Sequence, residues 1–148
     1  MKPSTTVATH LRWALLPALV AGLTMGGVPA VYATQITVTT TTDELNADGD
    51  CSLREAIVAA NTNAAVDACP AGSGADTITL PAGTFTLSLA GANEQDAATG
   101  DLDLVDDLTL VGDSTATTII DVAGLDRAFE VFPDPVVAMS RLSIMNAA

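Results

Sequence analysis

Ser52 and Glu55 mark the one place in this chain where a helix start is spelled out, and the residues after that helix are spelled as strand. In a Ser-x-x-Glu capping box the hydroxyl accepts the backbone N–H three residues on. The carboxylate reaches back to the backbone N–H of the serine. The spacing therefore predicts a helix from Leu53, with Ser52 and Glu55 as its cap. Leu53, Ala56, Ile57 and Ala60 then fall at i, i+3, i+4 and i+7, a single apolar stripe. A lone amphipathic helix cannot build a core by itself, so this stripe has to be laid on the face or end of a sheet.

The sheet is legible as short alternating runs. Residues 35–42 put Ile36 and Val38 on one face of a strand. Cys69-Pro70-Ala71-Gly72-Ser73-Gly74 ends this first unit with strong breakers. Residues 77–80 form a strand stopped by Pro81-Ala82-Gly83, and 84–89 resume the alternation before an excursion loop over 91–100. Ile78 and Leu80 are echoed by Leu108 and Leu110 at an offset of 30, and these by Leu142 and Ile144 at an offset of 34. Gly112 and Asn146 follow the later two pairs as corner residues would. Further strand candidates lie at 117–120, 128–131 and 136–139. Periods in this range predict a solenoid, and several strands per repeat suit one whose coils are walled by more than one sheet. An antiparallel sandwich gives a similar string of strands, and the pattern leaves it open.

The hexapeptide Cys51-Ser52-Leu53-Arg54-Glu55-Ala56 resembles, letter for letter, the signature of the CSLREA-domain family. In that family it sits near the N-terminus of secreted, pectin-lyase-like proteins. Residues 74–85, 108–112 and 119–121 resemble the first rungs that follow it. The resemblance implies an all-β fold: the beginning of a right-handed parallel β-helix, a solenoid, with one N-terminal amphipathic capping helix. It divides the chain into a signal peptide at 1–33, an N-terminal cap at 34–74 (strand, Asp/Gly loop, helix, disulfide loop) and the first coils at 75–148. Family members continue with many more Gly/Asn-rich coils, so the expectation is a truncated solenoid, its mouth plugged by the helix and its last coil open. Self-association through that open C-terminal coil follows, because unpaired strand edges recruit other strands.

Lys2, His10 and Arg12 precede an apolar run over 13–28, and small residues flank a cleavage point before Thr34, with a second choice at Val28-Pro29-Ala30. That is the order of a secretory signal. Pro17, Gly22, Gly26 and Gly27 make the same run a poor membrane anchor. The expected location is outside the cell or on its surface, with no membrane contact after cleavage. Losing Lys2 and Arg12 moves the formal charge from −13 to −15 and leaves Arg54, Arg127 and Arg141 as the only basic residues. Nucleic acid is excluded as a partner by repulsion; a surface glycan or a protein remains a candidate. Cys51 and Cys69, the only cysteines, are most simply a disulfide in an exported chain; free thiols or a bond to another chain are the alternatives.

Without its signal the chain has no His and no Lys, which removes Ser-His-Asp, Cys-His, Schiff-base and histidine-metal chemistry. Asp101 and Asp103 flank Leu102 and read as a solvated polar face; the other reading, an acid–base pair of the kind glycan-cleaving β-helix enzymes carry, is the weaker one. Asp106-Asp107 reads as a charged turn. Glu44, Asn46, Asp48, Gly49, Asp50, Ser52 and Glu55 fit positions 1, 3, 5, 6, 7, 9 and 12 of an EF-hand-like loop. This makes Glu44, Asn46, Asp48, Asp50 and Glu55 a candidate Ca²⁺ set, although position 1 is Glu, a strand precedes the loop, and Glu55 is also claimed by the helix cap. Arg54 lies off the apolar stripe, to pair with an acid such as Asp50 or Asp67 or to face water. No catalytic residue is assigned and the chain is not expected to be an enzyme. The expected function is an exported capping module of a β-helix protein with a structural or adhesive role. The alternatives are the N-terminal part of a β-helix polysaccharide lyase or hydrolase with its active site beyond residue 148, and a small calcium-binding module.

Overall fold

The computed structural model describes residues 32–148 except Asp126. In chain order the elements are β1 (Gln35–Thr37), α1 (Leu53–Thr62), β2 (Asp76–Thr79), β3 (Gly83–Thr86), β4 (Leu102–Leu104), β5 (Leu108–Val111), β6 (Thr118–Asp121), β7 (Phe129–Val131), β8 (Val137–Ser140) and β9 (Ser143–Met145). Strands β1-β2-β5-β8 form one sheet, β3-β6-β9 a second and β4-β7 a third. Every ladder between them is parallel. The protein is thus β-rich, built of parallel sheets with one short helix, and the antiparallel sandwich is ruled out.

Parallel neighbours cannot be joined by a tight hairpin and need a long crossover. Here the crossover is made of strands: from β2 onward the chain passes through the first, second and third sheets in that order, then repeats. Alternation places one apolar residue of each strand inward. Ile36, Ile78 and Leu110 stand in register in the first sheet, and Phe85 and Ile120 in the second. All five are buried, as are Leu102 and Leu104 of the third sheet.

The echo of like residues found the strands but not their register. Ile78 pairs with Leu110, not Leu108, and Leu110 pairs with Met139, so the offsets in the first sheet are 32 and 29 residues. Ile144, expected to stack on Leu110, instead pairs with Ile120 in the second sheet. The corners between successive strands differ in length, 80–82 at one against 112–117 at the corresponding next one, and matching similar strings cannot see that difference. The corner positions themselves hold. Asn146 takes the left-handed conformation at φ 56° and its amide donates to Asp121 Oδ1 at 2.8 Å. Gly112 lies so close to the corner between β8 and β9 that a Cβ there would collide with the Arg141 carbonyl.

The segment read as a signal peptide lies outside the described residues, apart from Tyr32 and Ala33. Among the described residues no helix is long and apolar enough to cross a membrane.

Candidate functional site: the interface between helix and first strands

The capping box forms as spelled. Ser52 Oγ accepts the Glu55 N–H at 3.1 Å, and Glu55 Oε2 accepts the Ser52 N–H at 2.9 Å. Ser52 Oγ also donates to the Glu44 carbonyl at 2.8 Å, fixing the incoming loop. The helix ends at Asn63, which turns left-handed at φ 52°. Leu53, Ala56, Ile57 and Ala60 are all buried. Cys51 and Cys69 form a disulfide with a Cα–Cα distance of 5.0 Å, both residues buried. It closes a loop of 18 residues' separation around the helix, worth about 3 kcal/mol by the chain-entropy estimate.

Arg54 pairs with an acid, as one reading had it, but the acid is Asp43. Arg54 meets neither Asp50 nor Asp67, and no part of it reaches water. Its Nε lies 2.7 Å from Asp43 Oδ1 and its Nη2 3.2 Å from Asp43 Oδ2. Nη1 and Nη2 also donate to the Ala97 and Gly100 carbonyls at 2.8 and 2.9 Å. Asp43 Oδ2 in turn accepts the N–H groups of Ser88 and Leu89 at 2.6 and 2.9 Å. Burial pushes the Asp43 carboxyl up, but the Arg54 guanidinium and these two N–H groups outweigh it and hold the carboxyl below its usual range. The pair ties together the loop before the helix, the helix, the segment after β3 and the 91–100 excursion. The excursion loop that covers Arg54 lies more than 30 residues away in sequence, which is why the helix alone did not reveal its contacts.

Asn61 does the same for a strand edge. Its Nδ2 donates to the Asp103 carbonyl at 2.7 Å, and its Oδ1 accepts the Val105 N–H at 3.2 Å. One side-chain amide thus makes the donor and acceptor contacts that a neighbouring strand would make with β4. One residue turn on, Asn63 Nδ2 donates to Asp106 Oδ2 at 3.0 Å. No pattern in the sequence marked Asn61, since only the docked helix places it opposite β4.

Of the calcium candidates, Glu44, Asp48 and Asp50 come together with carboxylate oxygens within 4.8 Å of one another. Asp67 joins a second such group with Asp50 and Glu55; it was missed because only the disulfide loop returns it here. Asn46 directs its Nδ2 to Glu44 Oε2 at 2.8 Å. Both Glu55 oxygens are committed, Oε1 to the Asn46 N–H at 2.9 Å and Oε2 to the helix cap. Asp67 Oδ2 accepts the N–H groups of Asp48 and Gly49. Partial desolvation, then the charge of Asp48, pushes the Glu44 and Asp50 carboxyls up. The oxygen donors are of the hard kind Ca²⁺ takes, but with Glu55 engaged the protein offers three carboxylates toward a shell of six to eight.

Asp101 and Asp103 are not the solvated pair expected. Asp103 is fully buried, because the excursion loop folds over β4 and the Ala97 N–H donates to Asp103 Oδ2 at 3.0 Å. Asp101 is half-buried beside Arg127, at 3.4 Å from its Nε. Compared with protein-family models, with curated proteins and with solved structures, the chain gives no match.

Proposed function

We propose that residues 34–148 are the capped beginning of a right-handed parallel β-helix, with a structural or adhesive role outside the cell or at its surface. The observation that carries this reading is Asn61: a helix side chain satisfies the free edge of β4 in the manner of a missing strand. Passage through three parallel sheets in fixed order is what the walls of such a coil require. The likeness to the CSLREA signature is supported by the fate of its six residues, all buried. Cys51 holds the disulfide, Ser52 and Glu55 cap the helix, Leu53 and Ala56 lie in the stripe, and Arg54 binds the excursion loop. At the other end Met139, Ile144 and Met145 are 36, 45 and 44 % exposed, and they form a docking surface for a further coil of the same kind. Light scattering tests this. At tens of micromolar the protein associates with itself, and Ile144→Asp weakens that association at least several-fold. A monomer at that concentration, or association unchanged by Ile144→Asp, overturns the reading.

A further inference from the structure

In the third sheet Asp103 Oδ1 is buried and hydrogen-bonded to nothing, and just before β4 the buried Asp101 Oδ2 makes no hydrogen bond but lies 3.4 Å from Arg127 Nε. Asp103 is wholly buried, with its other oxygen fixed by the Ala97 N–H. Asp101, two residues earlier, projects from the same side of the strand. Glu130 of β7 stands in register opposite Asp103, and carboxylate oxygens of all three lie within 4.8 Å of one another. Beside them opens a polar cavity of about 300 Å³, lined by Asn93, Glu94, Gln95, Asp101, Arg127 and Glu130. Glu94 is occupied, since its oxygens accept the N–H groups of Asp96, Ala98 and Thr99. Arg127 meets Asp101 and Glu130 with a side chain that is half exposed. With Glu94 counted, four carboxylates against one guanidinium leave a charge of −3, and a buried anionic oxygen without a hydrogen bond, as Asp103 Oδ1 is, is costly.

We propose that Asp101, Asp103 and Glu130 bind one divalent cation of the hard, oxygen-seeking class, Ca²⁺, with water in the adjoining cavity completing its shell. Two oxygens on one Ca²⁺ at about 2.4 Å each stand at most about 4.8 Å apart, and these carboxylate oxygens lie within that limit of one another. The ion's charge offsets most of the local deficit. Bound there, it joins β4 to β7 and, through Asp103 and Ala97, to the excursion loop that Arg54 also holds. Protons compete for the same oxygens. Burial raises the Asp103 carboxyl above its usual range; the Ala97 N–H opposes this, and the charges of Glu94, Asp101 and Glu130 add to the rise.

Calorimetric titration of CaCl₂ into the chelator-treated protein tests this, with Asp50→Asn as the parent so that the loop cluster at Glu44, Asp48 and Asp50 is silenced. One Ca²⁺ binds per chain, and adding Asp103→Asn raises Kd at least tenfold. Glu130→Gln, in a half-buried residue on the cavity wall, raises Kd several-fold and serves if Asp103→Asn fails to fold. No binding heat at millimolar Ca²⁺, or unchanged binding in the foldable variant, overturns the proposal. So does a Tm raised equally in Ca²⁺ and in EDTA by Asp103→Asn, the result expected if the substitution only removes a buried charge and no ion is held there.

Discussion

Ile120 and Ile144 are the same residue at the same inward position of the same sheet, in register with each other, yet Ile120 is fully buried and Ile144 is 45 % exposed. Ile78 and Met139 of the first sheet repeat the contrast at 0 and 36 %. A side chain in this fold is buried by the layer stacked beyond it, not by its own hydrophobicity. Ile78 and Ile120 have a strand on each side, whereas β8 and β9 are the last members of their sheets among the described residues. At the opposite end α1 supplies the missing layer with its apolar stripe, Arg54 and Asn61. The difference between the two ends is one short helix.

The contrast breaks first at Arg54. Arg54→Ala leaves Asp43 charged and buried and strips two carbonyls of their donors, with an expected loss of about 3–5 kcal/mol in urea unfolding. A midpoint like that of the unaltered protein would mean that the helix end is not held as described. Next in size, Ile120→Ala costs about 2–4 kcal/mol through cavity formation, while Ile144→Ala changes stability by less than about 0.5 kcal/mol. Equal losses would erase the distinction between covered and open rungs. Ser52→Ala removes the cap hydroxyl for about 1 kcal/mol.

The smallest effect is that of pH. Glu44, Asp50 and Asp103 are pushed up in the folded state, so it holds their protons more tightly than the unfolded chain does. Without Ca²⁺, stability therefore rises as pH falls from neutral through their folded values. Asp43, Glu94 and Asp121 are held low, so their contribution is present above the ordinary carboxylate range of about 4 and is lost as pH falls through their folded values. Thermal melts in EDTA should peak on the acid side of neutral, a few degrees above Tm at pH 7.5; a Tm that only falls on acidification would count against the raised carboxyls.

What local chemistry determines was legible in the sequence. Ser52 and Glu55 need only their spacing, the stripe of α1 only its period, and Cys51 had one possible partner in the chain. The inward residues of β1, β2 and β5 followed from alternation. Register was not legible, because it depends on corner lengths that like-for-like matching ignores, and so Ile144 was assigned to the wrong sheet. Arg54, Asn61, Asp67 and Asp103 escaped for a common reason. Each has its role set by a segment distant in the chain, and a polar residue read alone defaults to solvent. Asp103 alternates with Leu102 and Leu104 as an outward residue should, and it does point outward; the surprise is that the 91–100 loop lies on top of it.

The hydrogen bonds of Arg54 to Ala97 and Gly100 span 43 and 46 positions. A polypeptide made from its N-terminus therefore extrudes the whole of α1 well before the acceptors for that guanidinium exist. Until about residue 100 has emerged, the helix has its Ser52–Glu55 lock but no roof, and loop closure over such a distance must wait for the intervening strands. The contacts of Arg54 are thus completed only after β1 to β3 and the 91–100 loop have been made, so an interrupted synthesis ending before Gly100 would release a product that still has the hexapeptide Cys51–Ala56 but not the fastening around it.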